Sequence, residues 1–254
     1  MIAESQVVVL AGGLATRLGE LARARPKLLA PVAGRPFADW LLAKLRSCGF
    51  AEVVLCVGHL GEAIRKHVGD GRRFGALVRY VDDGPTLLGT GGALRKATAH
   101  HAPPFLGPYG DSYLPFDYQA PLRDLRAHPE SLGTLAVYRN EGRWDRSNVR
   151  LSGDHVAEYR PSTHPQALDR ALSFIDYGAM ALRRDAVLRI PPGQPYGLAE
   201  LQAGLARQRL LRAYRAQQRF YEIGSPGGLA DLSAEFAAHP TRYPHSTAEP
   251  EVEP

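Results

Sequence analysis

The sequence predicts an α/β domain built on a mostly parallel sheet with helices on both faces. Three observations point to it. From Val7 onward, short apolar runs alternate with stretches whose apolar residues recur at helical spacing, the pattern of repeated strand–helix–strand units. The first run ends in a glycine turn, so the turn lies at a strand's carboxyl end, where ligands bind in open sheets of this kind. At 254 residues, with 44% hydrophobic and 22% charged, the chain can bury one substantial core and has an ordinary globular composition.

Val7 to Leu10 (VVVL) is the first buried strand, rich in β-branched residues. Ala11, Gly12 and Gly13 follow at once, letting the backbone turn sharply and lie against a ligand with no Cβ between them. Thr16 and Arg17 add a hydroxyl and a guanidinium, and Lys27 comes directly behind Pro26. A strand, a turn rich in N–H groups and two cations make a cradle for polyphosphate. The chain has no Gly-Lys-Ser/Thr, so this is not a P-loop, and the turn lacks the Gly-x-Gly-x-x-Gly of dinucleotide sites.

Gly12, Gly13, Thr16, Arg17, Leu18, Pro26, Lys27, Leu29, Pro31, Val32, Gly34 and Pro36, all between Val7 and Pro36, together resemble the sugar-1-phosphate nucleotidylyltransferases. Those enzymes make nucleotide-sugars from a nucleoside triphosphate and a sugar phosphate. The resemblance implies their Rossmann-like, doubly wound fold, the nucleotide-diphospho-sugar transferase or GT-A-like architecture, with a small antiparallel sugar-binding insertion. It also implies that Leu10, Ala11, Gly12, Gly13 and Thr16 hold the nucleotide, Arg17 the triphosphate tail, and that Lys27 neutralises charge growing at the α-phosphate.

Phe37 to Cys48 has helical spacing and stops at Gly49; Glu52 to Val57 is a second buried strand; Glu62 to Val68 is a short helix and Ala76 to Val81 a third strand. Leu87 to Leu94 (LLGTGGAL) brings glycines around Thr90, with a helix expected over Ala93 to Ala99. A plain helix-entry turn would look the same. By the resemblance, Gly89, Thr90, Gly91 and Gly92 lie against the nucleobase, and the form is closest to members that handle heptose or mannose phosphates with GTP. In Pro104 to Leu114, an apolar approach leads to Gly110-Asp111 and sets a carboxylate at a strand's end. Asp111 matches the family's metal-binding aspartate, and Mg²⁺ favours one or two carboxylates with phosphate oxygens and water. Capping a turn is the other role open to this Asp.

Tyr118 to His128 is a predicted helix and Leu132 to Tyr138 a strand. Asn148 to Leu151 and His155 to Tyr159 flank Ser152-Gly153-Asp154 as an antiparallel hairpin. Where the family has Glu-Lys-Pro, this chain has Tyr159-Arg160-Pro161 with Glu158 one place earlier, so Glu158 and Arg160 are the implied sugar-phosphate residues. Ser173 to Leu182 replaces the family's Asn-x-Gly-x-Tyr strand; Asp176 and Gly178 occupy its polar and glycine positions, and an ionised Asp accepts hydrogen bonds but cannot donate them. Leu198 to Arg209 is helical in period. Glu222, in a segment that resembles the family's Asp-x-Gly-Thr-Pro, is the implied second Mg²⁺ carboxylate. Gly227 to Ala238 closes the fold. One domain is expected over 1–238, a nucleotide half to about 138 and a sugar-phosphate half from 139, with a mobile tail over 239–254.

Charge adds limits. The net charge is +5, but the lysines are few (Lys27, Lys44, Lys66, Lys96) and the arginines are scattered without aromatic interleaving, so nucleic acid is not the expected partner. A positive potential suits anionic small substrates. No apolar run reaches the roughly 18 residues that span a membrane, and a strand so near Met1 leaves no room for a signal peptide, so a cytoplasmic protein is expected. Cys48 and Cys56 are spaced unlike a zinc site and read as reduced, structural thiols, with a disulfide the lesser alternative. The implied reaction is nucleotidylyl transfer to a sugar 1-phosphate with release of pyrophosphate and Mg²⁺ as cofactor, GTP being favoured. UTP, dTTP or CTP with another sugar or cyclitol phosphate, a catalytically silent nucleotide-sugar sensor, and assembly into a homo-oligomer all stay open.

Overall fold

A computed structural model of the chain describes residues 6–13, 25–58, 60–84, 86–98, 104–161 and 171–244. In chain order the elements are β1 (Val7–Leu10), β2 (Pro31–Val32), β3 (Arg35–Pro36), α1 (Phe37–Ser47), β4 (Glu52–Val57), α2 (Gly61–Val68), β5 (Leu77–Asp82), α3 (Gly89–Ala97) and β6 (Phe105–Pro108). There follow β7 (Ser112–Tyr113), α4 (Ala120–Ala127), β8 (Gly133–Arg139), β9 (Val149–Ser152), β10 (His155–Tyr159), β11 (Phe174–Leu182), α5 (Arg184–Val187), α6 (Leu198–Arg207), β12 (Leu211–Ala216), β13 (Tyr221–Glu222) and α7 (Pro226–Ala238).

Nine strands form one sheet in the order β5-β4-β1-β6-β11-β8-β12-β10-β9. The run β5-β4-β1-β6 is parallel, as the alternating first third of the sequence predicts. From there the sheet is mixed: β11 lies antiparallel to both β6 and β8, β12 is parallel to β8, and the β9–β10 hairpin pairs antiparallel at the far edge. Successive side chains of a strand point to opposite faces, and here both faces are buried. Val7 and Val9 belong to one core with Val53, Leu55 and Val57; Val8 belongs to the other with Val54 and Cys56. That double burial is why these strands are apolar throughout instead of alternating.

The strand β12 has no counterpart among the sequence expectations. Its sequence, LRAYRA, lacks β-branched residues and carries two arginines, which reads as exposed chain. Its place is set by tertiary partners: Arg212, only 8% exposed, donates from Nε and Nη2 to the two carboxylate oxygens of Asp124 at 3.0 and 3.2 Å. The helix α3 starts at Gly89, so the glycine run forms its first turn. In the segment expected as a tail, Tyr243 is buried, its ring centroid 4.6 Å from Phe236 and 5.6 Å from Tyr113. Cys48 and Cys56 are both free thiols. Among the described residues, no helix is long and apolar enough to cross a membrane.

Candidate active site

The carboxyl ends of β5, β4, β1 and β6 open, with the middle of β11, onto a cavity of about 730 Å³. The turn after β1 supplies Ala11, Gly12 and Gly13 to its wall, and the end of β6 supplies Tyr109, Gly110 and Asp111. Gly110 explains how those two ends meet. Its N–H donates to the Leu10 carbonyl at 2.9 Å, and a Cβ there would lie 2.8 Å from that same oxygen and 3.2 Å from the Ala11 Cα. Only glycine permits so close an approach, and it sets Asp111 beside the glycine turn.

Lys27 arrives from a single 3-10 turn, Lys27–Leu29, anchored by the buried Leu28. Its Nζ donates to Asp111 Oδ2 at 2.9 Å, although the two residues are 84 positions apart. The lysine side chain is 16% exposed and the aspartate 32%, so the pair is shielded but reachable from the cavity. Glu222 is brought to the same place by backbone pairing: β13 runs antiparallel to β7 with Glu222 opposite Ser112, and Ile223 N–H donates to the Asp111 carbonyl at 2.9 Å. The Glu222 carboxylate accepts from Gly224 N–H and from the Ser225 hydroxyl, each at 2.5 Å. Ser225 in turn caps α7 by accepting from Gly228 N–H. Thr16, Arg17 and Leu18 lie outside the described residues.

Around the glycine run, Gly89 and Thr90 line the cavity but Gly91 and Gly92 do not. The N–H groups of Gly91 and Gly92 both donate to the Tyr196 carbonyl, at 2.8 and 3.2 Å. A Cβ on Gly91 would sit 2.8 Å from the Tyr196 ring, and one on Gly92 would sit 2.9 Å from the Gln194 carbonyl. These two are glycines because residues 194–197 pack on the start of α3, which corrects the expectation that they face a base.

The hairpin needs a second correction. Glu158 is paired with Arg150 at 3.1 Å and Arg160 at 2.5 Å, and neither Glu158 nor Arg160 lines the cavity. Strand alternation turns Tyr159 inward in their stead. Its hydroxyl donates to Asp176 Oδ2 at 3.1 Å, alongside the Tyr109 hydroxyl at 3.1 Å and the Gln202 amide at 2.9 Å. Asp176 Oδ1 accepts from Gly178 N–H at 2.9 Å across the bulge in β11, where Gly178 has φ +94°. Burial raises the Asp176 carboxyl above the usual range, and the donors from Gly178, Gln202, Tyr109 and Tyr159 oppose that rise. Asp176 and Gly178 do line the cavity, but the carboxylate is already committed to protein donors, so it fixes the wall. Sequence spacing did not single out Tyr109, Arg146, Asn148 or Tyr159, all of which line it too. The alternation of the hairpin was the one signal that could have found Tyr159.

This network carries a stability prediction. Asp176→Ala removes the acceptor of two hydroxyls and an amide, a loss of about 3 kcal/mol at the usual cost of stranded donors. For a chain of this size that lowers Tm by about 6–12 °C. Thermal melts of the two variants check it: Asp176→Asn, which keeps an acceptor, is expected to lose less than Asp176→Ala, and equal melts would contradict the network. Cys56 also lines the cavity, but burial, with Asp83 nearby, pushes its thiol up to about 12, which keeps it protonated and unfit as a nucleophile.

Comparison with known proteins bears on this site. A family model described as the MobA-like NTP transferase domain matches residues 7–225. The mannose-1-phosphate guanylyltransferase of Mycobacterium tuberculosis is 37% identical over 246 residues, covering 94% of this chain and 67% of that protein. The CMP-5'-(3-aminopropyl)phosphonate synthase of Streptomyces rubellomurinus is 51% identical over 76 residues, 30% of this chain and 12% of that one. The chain spans about half the length of two further relatives, 55% and 53%. Matched proteins include uridylyl-, guanylyl- and thymidylyltransferases by name. In fold, the chain is similar to HddC from Yersinia pseudotuberculosis, with a TM-score of 0.76 at 22% identity over 91% of this chain and 99% of that one.

Proposed function

This chain belongs to the MobA-like NTP transferase domain family, and from that premise we propose that it transfers a nucleotidyl group from a nucleoside triphosphate to a sugar 1-phosphate. GTP and a heptose or mannose type of sugar phosphate are the favoured pair. The observation that carries the reading is the Lys27–Asp111 contact beside the Ala11–Gly13 turn, on the wall of one cavity. An ammonium and a turn of backbone N–H groups suit a polyphosphate, and a carboxylate next to them suits the metal that accompanies it.

A sugar-phosphate oxygen attacks the α-phosphorus, the bond to the β-phosphate oxygen breaks, and pyrophosphate leaves with the electron pair. Such a transfer needs positioning and charge stabilisation, with no covalent protein intermediate. Lys27 meets the charge that builds on the α-phosphate. Arg17, outside the described residues, is assigned to the β- and γ-phosphates. Gly12, Gly13, Gly89 and Thr90 hold the nucleoside.

A divalent cation fits the donor set. Asp111 and Glu222 are linked through the Ile223–Asp111 backbone hydrogen bond and line one cavity, and each of their oxygens keeps a lone pair beyond its present donor. Two hard carboxylates are what Mg²⁺ takes when phosphate oxygens and water complete its shell. When bound, the ion supplies charge neutralisation on the phosphates.

Pyrophosphate release tests the whole reading, using the four ribonucleoside triphosphates and dTTP with Mg²⁺ against hexose, heptose and cyclitol 1-phosphates. Release with one pair names both substrates. Nucleotide binding without release across the panel would favour a sensor over an enzyme, and no nucleotide binding would end the proposal.

A further inference from the structure

Two side chains just outside the cavity join its two walls. Neither Trp144 nor Arg219 lines it, but Asp145 and Arg146 line it on one side, and Phe220 and Glu222 on the other. The Arg219 Cζ stands 3.6 Å from the centroid of the Trp144 ring and 4.5 Å from that of the Tyr221 ring. Its Nη2 donates to Asp231 Oδ2 on α7 at 3.2 Å, and its Nε to the Phe220 carbonyl at 3.3 Å. One guanidinium therefore touches the loop between β8 and β9, the strand β13 and the helix α7. Trp144 is 47% exposed, so the hydrophobic core does not fix its ring, whereas the stack on Arg219 does.

The loop is wired as one piece. Asn140 is fully buried; its Nδ2 donates to the Asp145 carbonyl at 2.6 Å and to Ser147 Oγ at 3.0 Å, and its Oδ1 accepts from Trp144 N–H at 3.1 Å. Ser147 Oγ also accepts from Gly142 N–H at 3.1 Å. Whatever holds Trp144 therefore holds Asp145 and Arg146 beside it. On the opposite wall, Glu222 keeps its own supports in Gly224 N–H, the Ser225 hydroxyl and the pairing of β13 with β7. Loss of the stack would release the loop and leave Glu222 in place. The loop leads into β9, which pairs with β11 at Val149 and Phe174, so it borders the antiparallel half, away from the glycine turn of β1. With Asn148, Tyr159 and Asp176 on the same lining, that wall is polar, which suits a hydroxylated phosphate ester.

We propose that Arg219 is a positioning residue for the sugar 1-phosphate: stacked on Trp144, it clamps the 140–147 loop where Asp145 and Arg146 face that substrate. The role rests on the nucleotidylyltransferase reading and adds to it a residue that lies outside the cavity. Without the stack, the loop spends part of its time elsewhere, and apparent affinity for the sugar phosphate falls with the fraction in place. A cation–π contact is worth a factor of about 2–30 in an equilibrium, so a rise of about 3–10-fold in KM for the sugar phosphate is expected. The nucleoside triphosphate is placed at the glycine turn, beyond the loop, and its KM is expected to stay nearly unchanged.

The test is steady-state kinetics of the full chain for Arg219→Ala, Trp144→Ala and the double variant. The substrates are the pair that releases most pyrophosphate in the panel above, GTP with mannose 1-phosphate being the expected one. Each single variant is expected to raise KM for the sugar phosphate by about 3–10-fold, and the double variant no further, since both act through one contact. Trp144→Phe, which keeps a ring, and Arg219→Lys, which keeps a charge without the planar face, are expected to recover part of the loss. Trp144 lies on an exposed loop, so Trp144→Ala keeps the test valid even if Arg219→Ala folds poorly. The chain has only two tryptophans, and Trp40 is buried, so acrylamide quenching of the Trp144 emission reads the loop without catalysis and is expected to rise in Arg219→Ala. Wild-type KM for the sugar phosphate in both single variants, an equal rise in KM for the triphosphate, additive losses in the double variant, or unchanged quenching would each overturn the role of Arg219 while leaving the transferase reading intact. Absence of pyrophosphate release by the wild type with every pair would overturn both.

Discussion

Lys27→Ala is expected to lower kcat for pyrophosphate release by about 10²–10³-fold, with KM for the nucleoside triphosphate changed far less. The reason is where the charge appears. Ground-state triphosphate already meets backbone N–H groups and a cation, but negative charge redistributes at the α-phosphorus only as the bond to pyrophosphate breaks. A cation that acts on that charge is felt in the transition state more than in the bound substrate. The Lys27 side chain is 16% exposed, so its charge acts at a lower effective dielectric than at the surface. Folding should be almost untouched: Asp111, 32% exposed, can take water when its partner goes, and such ion pairs contribute about 0–1 kcal/mol. Steady-state kinetics at saturating Mg²⁺ with a melt of the same sample separates the two. Lys27→Arg should recover part of kcat, since it restores charge without the same reach. An unchanged kcat with a raised KM would assign Lys27 to substrate holding alone.

How much of this was legible in the sequence depended on how local each cause is. The strand β1 and its glycine turn, the parallel order of β4 and β5, and Asp111 at the end of β6 follow from short apolar runs and from residues that turn a chain, and those signals sit within a few positions of one another. The contact of Lys27 with Asp111 spans 84 positions and was not legible: the resemblance gave the two residues separate roles, at the α-phosphate and at the metal, and only the fold sets them side by side. Elsewhere a local pattern had two causes. Gly91 and Gly92 are glycines for the sake of Tyr196, about a hundred residues on, and no window around Thr90 contains that fact. Glu158 and Arg160 carry charges that suit a phosphate, but the pleat turns them away together and brings Tyr159 in. Register decides such matters, and a one-residue slip reverses them. β12 was missed because its arginine is buried only by virtue of Asp124 on a distant helix.

Asp111→Asn is expected to cost at least about 10²-fold in pyrophosphate release at limiting Mg²⁺, with part of the loss recovered as Mg²⁺ is raised. The substitution changes one thing cleanly. Asparagine has the shape of aspartate and can still accept from Lys27 Nζ, so the 2.9 Å contact and the turn around Gly110 need not move. What it lacks is the negative charge, and Mg²⁺ discriminates sharply in favour of charged oxygen. Glu222→Gln is expected to be the milder change. Both oxygens of Glu222 already accept, from Gly224 N–H and the Ser225 hydroxyl, so its charge is shared with the start of α7 before any cation arrives. Asp111 has no backbone donor of that kind among the described residues; its partners are Lys27 and, at 3.4 Å, the Ser112 hydroxyl. A ranking with Asp111 above Glu222, read from Mg²⁺ titrations of the two variants, therefore follows from the hydrogen bonds alone. Wild-type activity of Asp111→Asn at limiting Mg²⁺ would remove the metal from Asp111 and leave that carboxylate as the partner that orients Lys27.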